Sequence, residues 1–205
     1  ARTLLAESRE ILVLTGAGIS AESGVPTFRG EDGLWRRYRA EDLATPEAFR
    51  RDPRLVWEWY AWRRDLISTC RPNPAHKALA RWTARRSGIT LVTQNVDGLH
   101  ELAATEISGS GRAAPSIEIH GSIFRVRCTG CGARSSHRDP IATDAMDALP
   151  VCDDCGTLLR PDVIWFGEAL EEGVLSQAIE AAASAEVCLV IGTSGLIHPA
   201  AGLPG

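Results

Sequence analysis

Two closely spaced cysteine pairs, Cys128-Thr129-Gly130-Cys131 and Cys152-Asp153-Asp154-Cys155, constrain this chain more than any other feature. Two residues lie inside each pair, and twenty separate the pairs. Thiolates at that spacing can grip one metal ion from a single tight turn, and a second such turn completes a tetrahedron. Gly130, Gly132 and Gly156 supply the backbone freedom that such knuckles need. Four sulfur ligands leave no open position for water, so a zinc ion bound by Cys128, Cys131, Cys152 and Cys155 holds structure and performs no chemistry. The alternative, two disulfides, belongs to an oxidising compartment, and nothing else in the chain looks secreted. The pattern predicts a small stapled lobe.

Composition sets the scale. A chain of 205 residues with 44% hydrophobic content can bury the core of one ordinary domain with a minor lobe. Charged residues nearly cancel, to a net −4, so no footprint for direct nucleic-acid binding is visible. The arginine pairs Arg36-Arg37, Arg50-Arg51, Arg63-Arg64 and Arg85-Arg86 are scattered and read mostly as solvated helix faces. No apolar run approaches the roughly 20 residues of a membrane span, and no signal peptide opens the sequence. Cys70 and Cys188 stand alone. The expectation is a cytoplasmic protein without a membrane partner.

Three apolar runs, Ile11–Leu14, Ile89–Val92 and Val187–Ile191, are continuous and not alternating, as expected of strands buried on both faces of a parallel sheet. Between them, Asp52-Pro53 and Asn73-Pro74 each pair an acceptor cap with proline at the first helical position. They predict helices from there to about Ser68 and to Gly88. An alanine-rich helix is expected over Leu175–Ser184, and Ala103–Ser116, rich in Ala, Ser and Gly, reads as a surface loop. The fold class is therefore α/β, a doubly wound Rossmann-like parallel sheet carrying a small zinc-ribbon lobe and a helical insert.

Each apolar run ends in a polar or glycine-rich loop: Thr15-Gly16-Ala17-Gly18-Ile19-Ser20-Ala21, Thr93-Gln94-Asn95-Val96-Asp97-Gly98 and Gly192-Thr193-Ser194-Gly195. In open α/β sheets ligands bind outside the carboxyl ends of strands, and glycines let backbone approach a pyrophosphate. Three such loops point to a dinucleotide. The first departs from a dehydrogenase, because no strand ending in a ribose-binding acid follows about 20 residues on. Instead Glu22–Gly30 extends the loop with glycine and proline, the composition of a lid.

Gly16-Ala17-Gly18-Ile19-Ser20, Ser23–Gly30, Gln94–His100, His120-Gly121, the four-cysteine module, Arg160–Glu168 and Gly192-Thr193-Ser194 together resemble the sirtuin family of NAD-dependent protein-lysine deacylases, in family order and across essentially the whole chain. The resemblance implies a Rossmann-like NAD-binding domain at 1–124 and 161–205, with the helical insert at about 31–75 and the zinc lobe at 125–160. It implies NAD as co-substrate and acyl-lysine side chains of proteins as partners. The amide oxygen displaces nicotinamide from C1′, a histidine deprotonates the ribose hydroxyls, and free lysine and 2′-O-acyl-ADP-ribose leave. By motif His120 is the base and Asn95 orients the ribose or a water. Gly16, Ala17, Gly18, Ser20, Thr27, Phe28, Arg29, Trp35, Gln94, Gly192, Thr193 and Ser194 are the other implied NAD contacts, with Asp97 on the carboxamide and Ile19 and Val96 as its apolar wall. Val163, Trp165 and Phe166 meet the substrate backbone and lysine. The chain stops at Gly205, before the family's last strands, and so looks truncated.

Tyr60 and Arg63 lie three apart on the helix that starts at Pro53, so both project from one face. A phenol and a guanidinium together can hold a carboxylate. In sirtuins a Tyr-x-x-Arg on this helix marks a preference for succinyl-, malonyl- or glutaryl-lysine over acetyl-lysine. The plainer reading is a packed helix face with Arg63 stacked on a tryptophan. Two other functions stay open at this point, a sirtuin-like ADP-ribosyltransferase and a non-catalytic NAD- and zinc-binding module.

Overall fold

The computed structural model describes residues 2–26, 40–108, 116–195 and 200–204. The described strands are β1 (Ile11–Thr15), β2 (Ile89–Thr93), β3 (Ile117–Glu118), β4 (Gly121–Cys128), β5 (Arg134–Ser136), β6 (Leu159–Val163) and β7 (Val187–Ile191). The α-helices are α1 (Arg2–Glu7), α2 (Ala40–Leu43), α3 (Pro46–Arg51), α4 (Pro53–Thr69), α5 (Pro74–Arg85), α6 (Leu99–Ser108) and α7 (Glu172–Ser184). No helix among the described residues is long and apolar enough to cross a membrane. Contacts divide the chain into two compact units, Ala1–Thr27 with Arg71–His120 and Leu170–Gly205, and Phe28–Cys70 with Gly121–Ala169.

The first unit is a parallel sheet in the order β3-β2-β1-β7. The apolar runs of β1 and β2 have the expected cause, whereas β7, the outer strand of the described sheet, is only half-buried and leaves Val190 exposed. In β1, Leu12 and Leu14 face one layer with Val92, Ile119 and Ala178, while Ile11 and Val13 face the other with Ile19, Leu79 and Leu91. Both faces are covered, so neither alternate set can be polar. The chain runs β1, β2, β3 to one side and returns on the other side of β1 as β7, which places a topological switch point beside β1.

The loops that leave β1 and β7 touch backbone to backbone. Gly16 N donates to Ile191 O at 3.0 Å and Gly18 N to Gly192 O at 2.8 Å. A Cβ at Gly16 would lie 2.7 Å from Thr193 Cβ, and one at Gly18 would lie 2.9 Å from Gly192 Cα. These glycines are thus required by the packing of one strand-end loop on another, a reason the sequence reading did not supply.

Helix starts follow the cap chemistry. Asp52 accepts from Leu55 N at α4, and Asn73 accepts from Ala75 N and His76 N at α5. The alanine-rich helix begins at Glu172, earlier than expected. The expected loop from Ala103 is helical to Ser108, within α6. Alanine is the best helix former, and Asp97 Oδ1 accepts from Leu99 N at 2.9 Å to start the helix.

The second unit joins α2, α3 and α4 with the antiparallel sheet β5-β4-β6. Trp57 is fully buried and its Nε1 donates to Leu159 O at 2.9 Å. Arg63 and Arg64 are buried, against the expectation of a solvated face. Arg64 can be buried because its several donors are met: Nη1 reaches Ile123 O at 2.9 Å, and Nη2 reaches Asp139 O at 3.0 Å.

Gly192 combines φ +64 with a Cβ position 2.3 Å from Ile19 N. Gly192→Ala should lower the melting temperature by at least about 4 °C, from roughly 2 kcal/mol of strain. Gly173→Ala, in α7 with open space around its Cβ position, should not lower it. Equal melting temperatures for Gly192→Ala and wild type would contradict this loop packing.

Candidate active site

Beyond β1 the chain enters a short 3₁₀ helix, Ala17–Ser23, closed by Gly24 at φ +87. Ser20 on this turn is fully buried, and its hydroxyl donates to Asp97 Oδ2 at 2.7 Å. A hydroxyl has one proton, so the other groups around Ser20 Oγ must donate to it. Asn95 Nδ2 does so at 3.1 Å, and Nδ2 also donates to Gly16 O at 3.2 Å. The carboxamide is thereby oriented, with Oδ1 left as its acceptor. His76 Nε2 lies 3.3 Å from Ser20 Oγ and must carry the ring proton. His76 is fully buried, and its Nδ1 has no hydrogen-bond partner among the described residues.

A second layer lies beside the first. Thr15 Oγ1 donates to Thr93 Oγ1 at 2.9 Å, so His100 Nε2, 3.0 Å from Thr15 Oγ1, is again the donor. The rings of His76 and His100 stand 4.8 Å apart. Burial lowers the pKa of His76 below the ordinary histidine value. Burial first, and His76 second, push His100 down to about 3. Both imidazoles are neutral at pH 7.

His120 ends the first unit. Its Nδ1 is 2.9 Å from Gln94 O, and a carbonyl can only accept, so Nδ1 carries the proton and Nε2 holds a free lone pair. Burial lowers its pKa below the ordinary value, although the bond to Gln94 opposes this. A neutral imidazole with a directed Nε2 lone pair is suited to accept a proton. Gln94 Nε2 donates in turn to Thr193 Oγ1 at 2.9 Å, tying the loop after β2 to the loop after β7.

The second unit holds the four cysteines. Cys128 closes β4, Cys131 sits in the turn before β5, and Cys152 and Cys155 flank the turn inside the Val151–Leu158 bridge. All four sulfurs lie within 4.8 Å of one another, with Cys128–Cys155 at 3.4 Å and Cys131–Cys152 at 3.7 Å. A tetrahedron with Zn–S bonds of about 2.3 Å has edges of about 3.8 Å, so the cluster fits zinc. Gly130 N and Cys131 N donate to Cys128 Sγ at 3.3 and 3.4 Å, and Thr157 Oγ1 lies 2.9 Å from the same sulfur. Such donors orient thiolate ligands.

In the same unit Tyr60 and Arg63 are both buried on α4, and Arg63 Cζ lies 4.9 Å from the ring centre of Trp59. Val163 ends β6, Trp165 is buried with Nε1 donating to Tyr60 Oη at 2.9 Å, and Phe166 is exposed.

The sequence profile of the Sir2 family matches residues 16–199. The chain belongs to the Sir2 family. It is 54% identical over 205 residues to an NAD-dependent protein deacylase of Pyrococcus furiosus, covering 98% of this chain and 78% of that protein. Among solved structures, a Sir2 homolog–NAD complex is 47% identical with a TM-score of 0.86, covering 99% of this chain and 76% of its own. A Sir2 mutant–p53 peptide–NAD complex is 32% identical with a TM-score of 0.81, covering 99% and 78%.

Of the residues expected at the Sir2 site, Ser20, Asn95 and Asp97 share one hydrogen-bond network, and Gly16, Gly18, Gly192, Thr193 and Gln94 share the packed loops. Ile19 is buried, Val96 half-buried and Ser194 exposed. Thr27, Phe28, Arg29 and Trp35 lie outside the described residues. From sequence His76 and His100 are less convincing than His120 as bases; the structure gives both a place in the buried layers behind the strand ends.

One zinc per chain is expected from metal analysis, and Cys152→Ser should lose it and destabilise the second unit. A folded, zinc-free wild type would contradict the fit. Neutral burial of His100 also has a sign. Below pH 6.5 the unfolded chain takes up protons that the folded chain refuses until about pH 3, so stability should fall across that window, by up to about 1.4 kcal/mol per pH unit for one proton. Denaturant midpoints that stay level from pH 7 to 5 would refute it.

Proposed function

We propose that this Sir2-family protein is an NAD-dependent protein-lysine deacylase that releases nicotinamide, free lysine and 2′-O-acyl-ADP-ribose. The observation that carries the reading is the pinned tautomer of His120, which leaves Nε2 as an unprotonated base beside the loop Gln94–Asp97. The relative from Pyrococcus furiosus is named an NAD-dependent protein deacylase, and the related solved structures hold NAD or a peptide with NAD. When bound, NAD supplies a ribose carbon that loses nicotinamide and hydroxyls that can be deprotonated.

The chain's own residues have these roles in the proposal. His120 Nε2 takes a proton from the ribose hydroxyls, and its Nδ1–H stays on Gln94 O, which stabilises the imidazolium that forms. Asn95 offers Oδ1 to a ribose hydroxyl or a water. Asp97 already accepts from Ser20 and Leu99 N, and each oxygen keeps a further lone pair for the nicotinamide carboxamide. Ile19 and Val96 wall that pocket. Gly16, Ala17, Gly18, Ser20, Thr27, Phe28, Arg29, Trp35, Gln94, Gly192, Thr193 and Ser194 complete the NAD contacts. Val163, Trp165 and Phe166 serve the acyl-lysine segment, and the four cysteines hold a structural zinc.

The finer part of the proposal is a preference for succinyl, malonyl or glutaryl groups. A carboxylate buried without a partner costs several kcal/mol, so a site that accepts one needs a cation and donors. Arg63 and Tyr60, buried one turn apart on α4, supply both.

His120→Ala should reduce acyl-ADP-ribose formation by roughly 10²–10⁴-fold. Because the imidazole works unprotonated and its pKa lies below the ordinary value, the acid limb of kcat/KM should fall below pH 6.5 and vanish in the variant. Near wild-type turnover in His120→Ala would make the histidine structural. Arg63→Met should lower the kcat/KM ratio of succinyl- over acetyl-lysine peptide by roughly 30-fold or more, about 2–5 kcal/mol for one half of a buried charge pair. A parallel fall of both activities would reduce the pair to packing.

A further inference from the structure

Tyr60 is 2% exposed, so the fate of its hydroxyl can be followed bond by bond. Trp165 Nε1 donates to Tyr60 Oη at 2.9 Å. An indole N–H can only donate, so the phenol oxygen is the acceptor and its own proton must point elsewhere. No acceptor for that proton exists among the described residues. Burial pushes the phenol up to about 12, so the proton stays on oxygen at neutral pH. A buried donor without an acceptor is costly until something supplies one.

Trp165 is itself held on two sides. The Arg160 guanidinium lies 3.3 Å from its ring centre, and Glu168 Oε2 accepts from its backbone N at 2.8 Å. Arg160 donates to both Glu168 oxygens, at 2.6 and 2.9 Å, and to Val163 O at 2.8 Å. Phe49 packs on the indole at 5.4 Å between ring centres. A fork of charge-assisted bonds with a stacked ring has one low-energy arrangement. Neither Arg160 nor Glu168 needs to touch a substrate for this effect.

We propose that Trp165, clamped by the Arg160–Glu168 pair, is a positioning residue for acyl selectivity: it occupies the Tyr60 oxygen and so makes Tyr60 an obligate donor toward a carboxylate that Arg63 also attracts. This rests on the acidic-acyl reading of Tyr60 and Arg63. Without the indole N–H the phenol can rotate its proton and accept as readily as donate, which weakens its hold on a carboxylate and leaves an acetyl group, which lacks that carboxylate, comparatively indifferent. A phenylalanine at 165 keeps an aromatic ring for Arg160 and Phe49 to pack on and removes the N–H; the volume it also removes is common to both substrates and cancels in their ratio.

The test measures kcat/KM for succinyl- and acetyl-lysine versions of one peptide with NAD, in wild type, Arg63→Met, Tyr60→Phe, Trp165→Phe and the Tyr60→Phe/Trp165→Phe double variant. Trp165→Phe should lower the succinyl-to-acetyl ratio roughly tenfold. The double variant should show the ratio of Tyr60→Phe alone, because the indole discriminates between the acyl groups only through the hydroxyl, whereas its contact with the acyl-lysine segment affects both substrates alike. If Arg63→Met and Tyr60→Phe lower the ratio while Trp165→Phe leaves it unchanged, the positioning role is wrong and the carboxylate reading stands. If Arg63→Met leaves the ratio unchanged, the carboxylate reading fails and the positioning role falls with it. Should Trp165→Phe not fold, indole resonances decide. Tyr60→Phe keeps the ring, so one of the six tryptophan Nε1–H signals should move upfield as its acceptor is lost. Six unmoved signals would overturn the proposal.

Discussion

The bond from Ser20 to Asp97 sets the polar chemistry at the strand ends. One hydroxyl proton goes to the carboxylate, and two neighbours, Asn95 and His76, are thereby obliged to donate. That choice orients the Asn95 amide, assigns the His76 tautomer and leaves Asp97 as a pure acceptor. A different partner for the Ser20 proton would free the His76 tautomer, whereas Gly16 O holds the Asn95 amide the same way round independently. Buried networks of this kind are rigid when every member is satisfied. Here Asn95 Oδ1 is an open acceptor of the network, and His76 Nδ1 is without a partner among the described residues. His120 Nε2, beside the neighbouring Gln94 loop, is a second open acceptor. Asn95 Oδ1 and His120 Nε2 have the polarity to receive donors such as hydroxyls.

The packing under this network is equally restrictive. Parallel pairing brings the ends of β1, β2 and β7 to one edge, and the loops after β1 and β7 meet backbone to backbone. The second unit solves a different problem. Its sheet has only three strands, so part of its order comes from polar centres with several ligands each. Arg64 gathers the carbonyls of Ile123, His137 and Asp139, Arg160 grips Glu168, and four cysteines gather around one point. Small lobes with little core commonly depend on such staples.

Much of this was legible in the sequence for simple reasons. Continuous β-branched runs mean two covered faces, and Asp-Pro and Asn-Pro mean helix starts, because both signals are local. The cysteine spacing was equally direct. The run from Ala103 misled because small residues suit loops and helices alike, and the deciding contact, Asp97 to Leu99 N, belongs to the preceding motif. Arg64 looked solvated because its acceptors are backbone carbonyls from distant segments, which no local pattern announces. The place of His76 in the network is hidden for the same reason, since its partner Ser20 is 56 residues away. Glycines 16 and 18 were assigned to ligand approach, yet their missing side chains also make room for the loop after β7.

The central claim is a chemistry in which NAD is consumed as the acyl group moves to its ribose. The direct measurement is mass spectrometry of the products formed from one lysine peptide, carried as acetyl, malonyl, succinyl and glutaryl forms, with and without NAD. The account predicts one nicotinamide and one acyl-ADP-ribose for each lysine freed, no lysine freed without NAD, and the acidic acyl forms ahead of acetyl. Lysine freed without NAD, or ADP-ribose attached to the peptide while the acyl group stays in place, would contradict it.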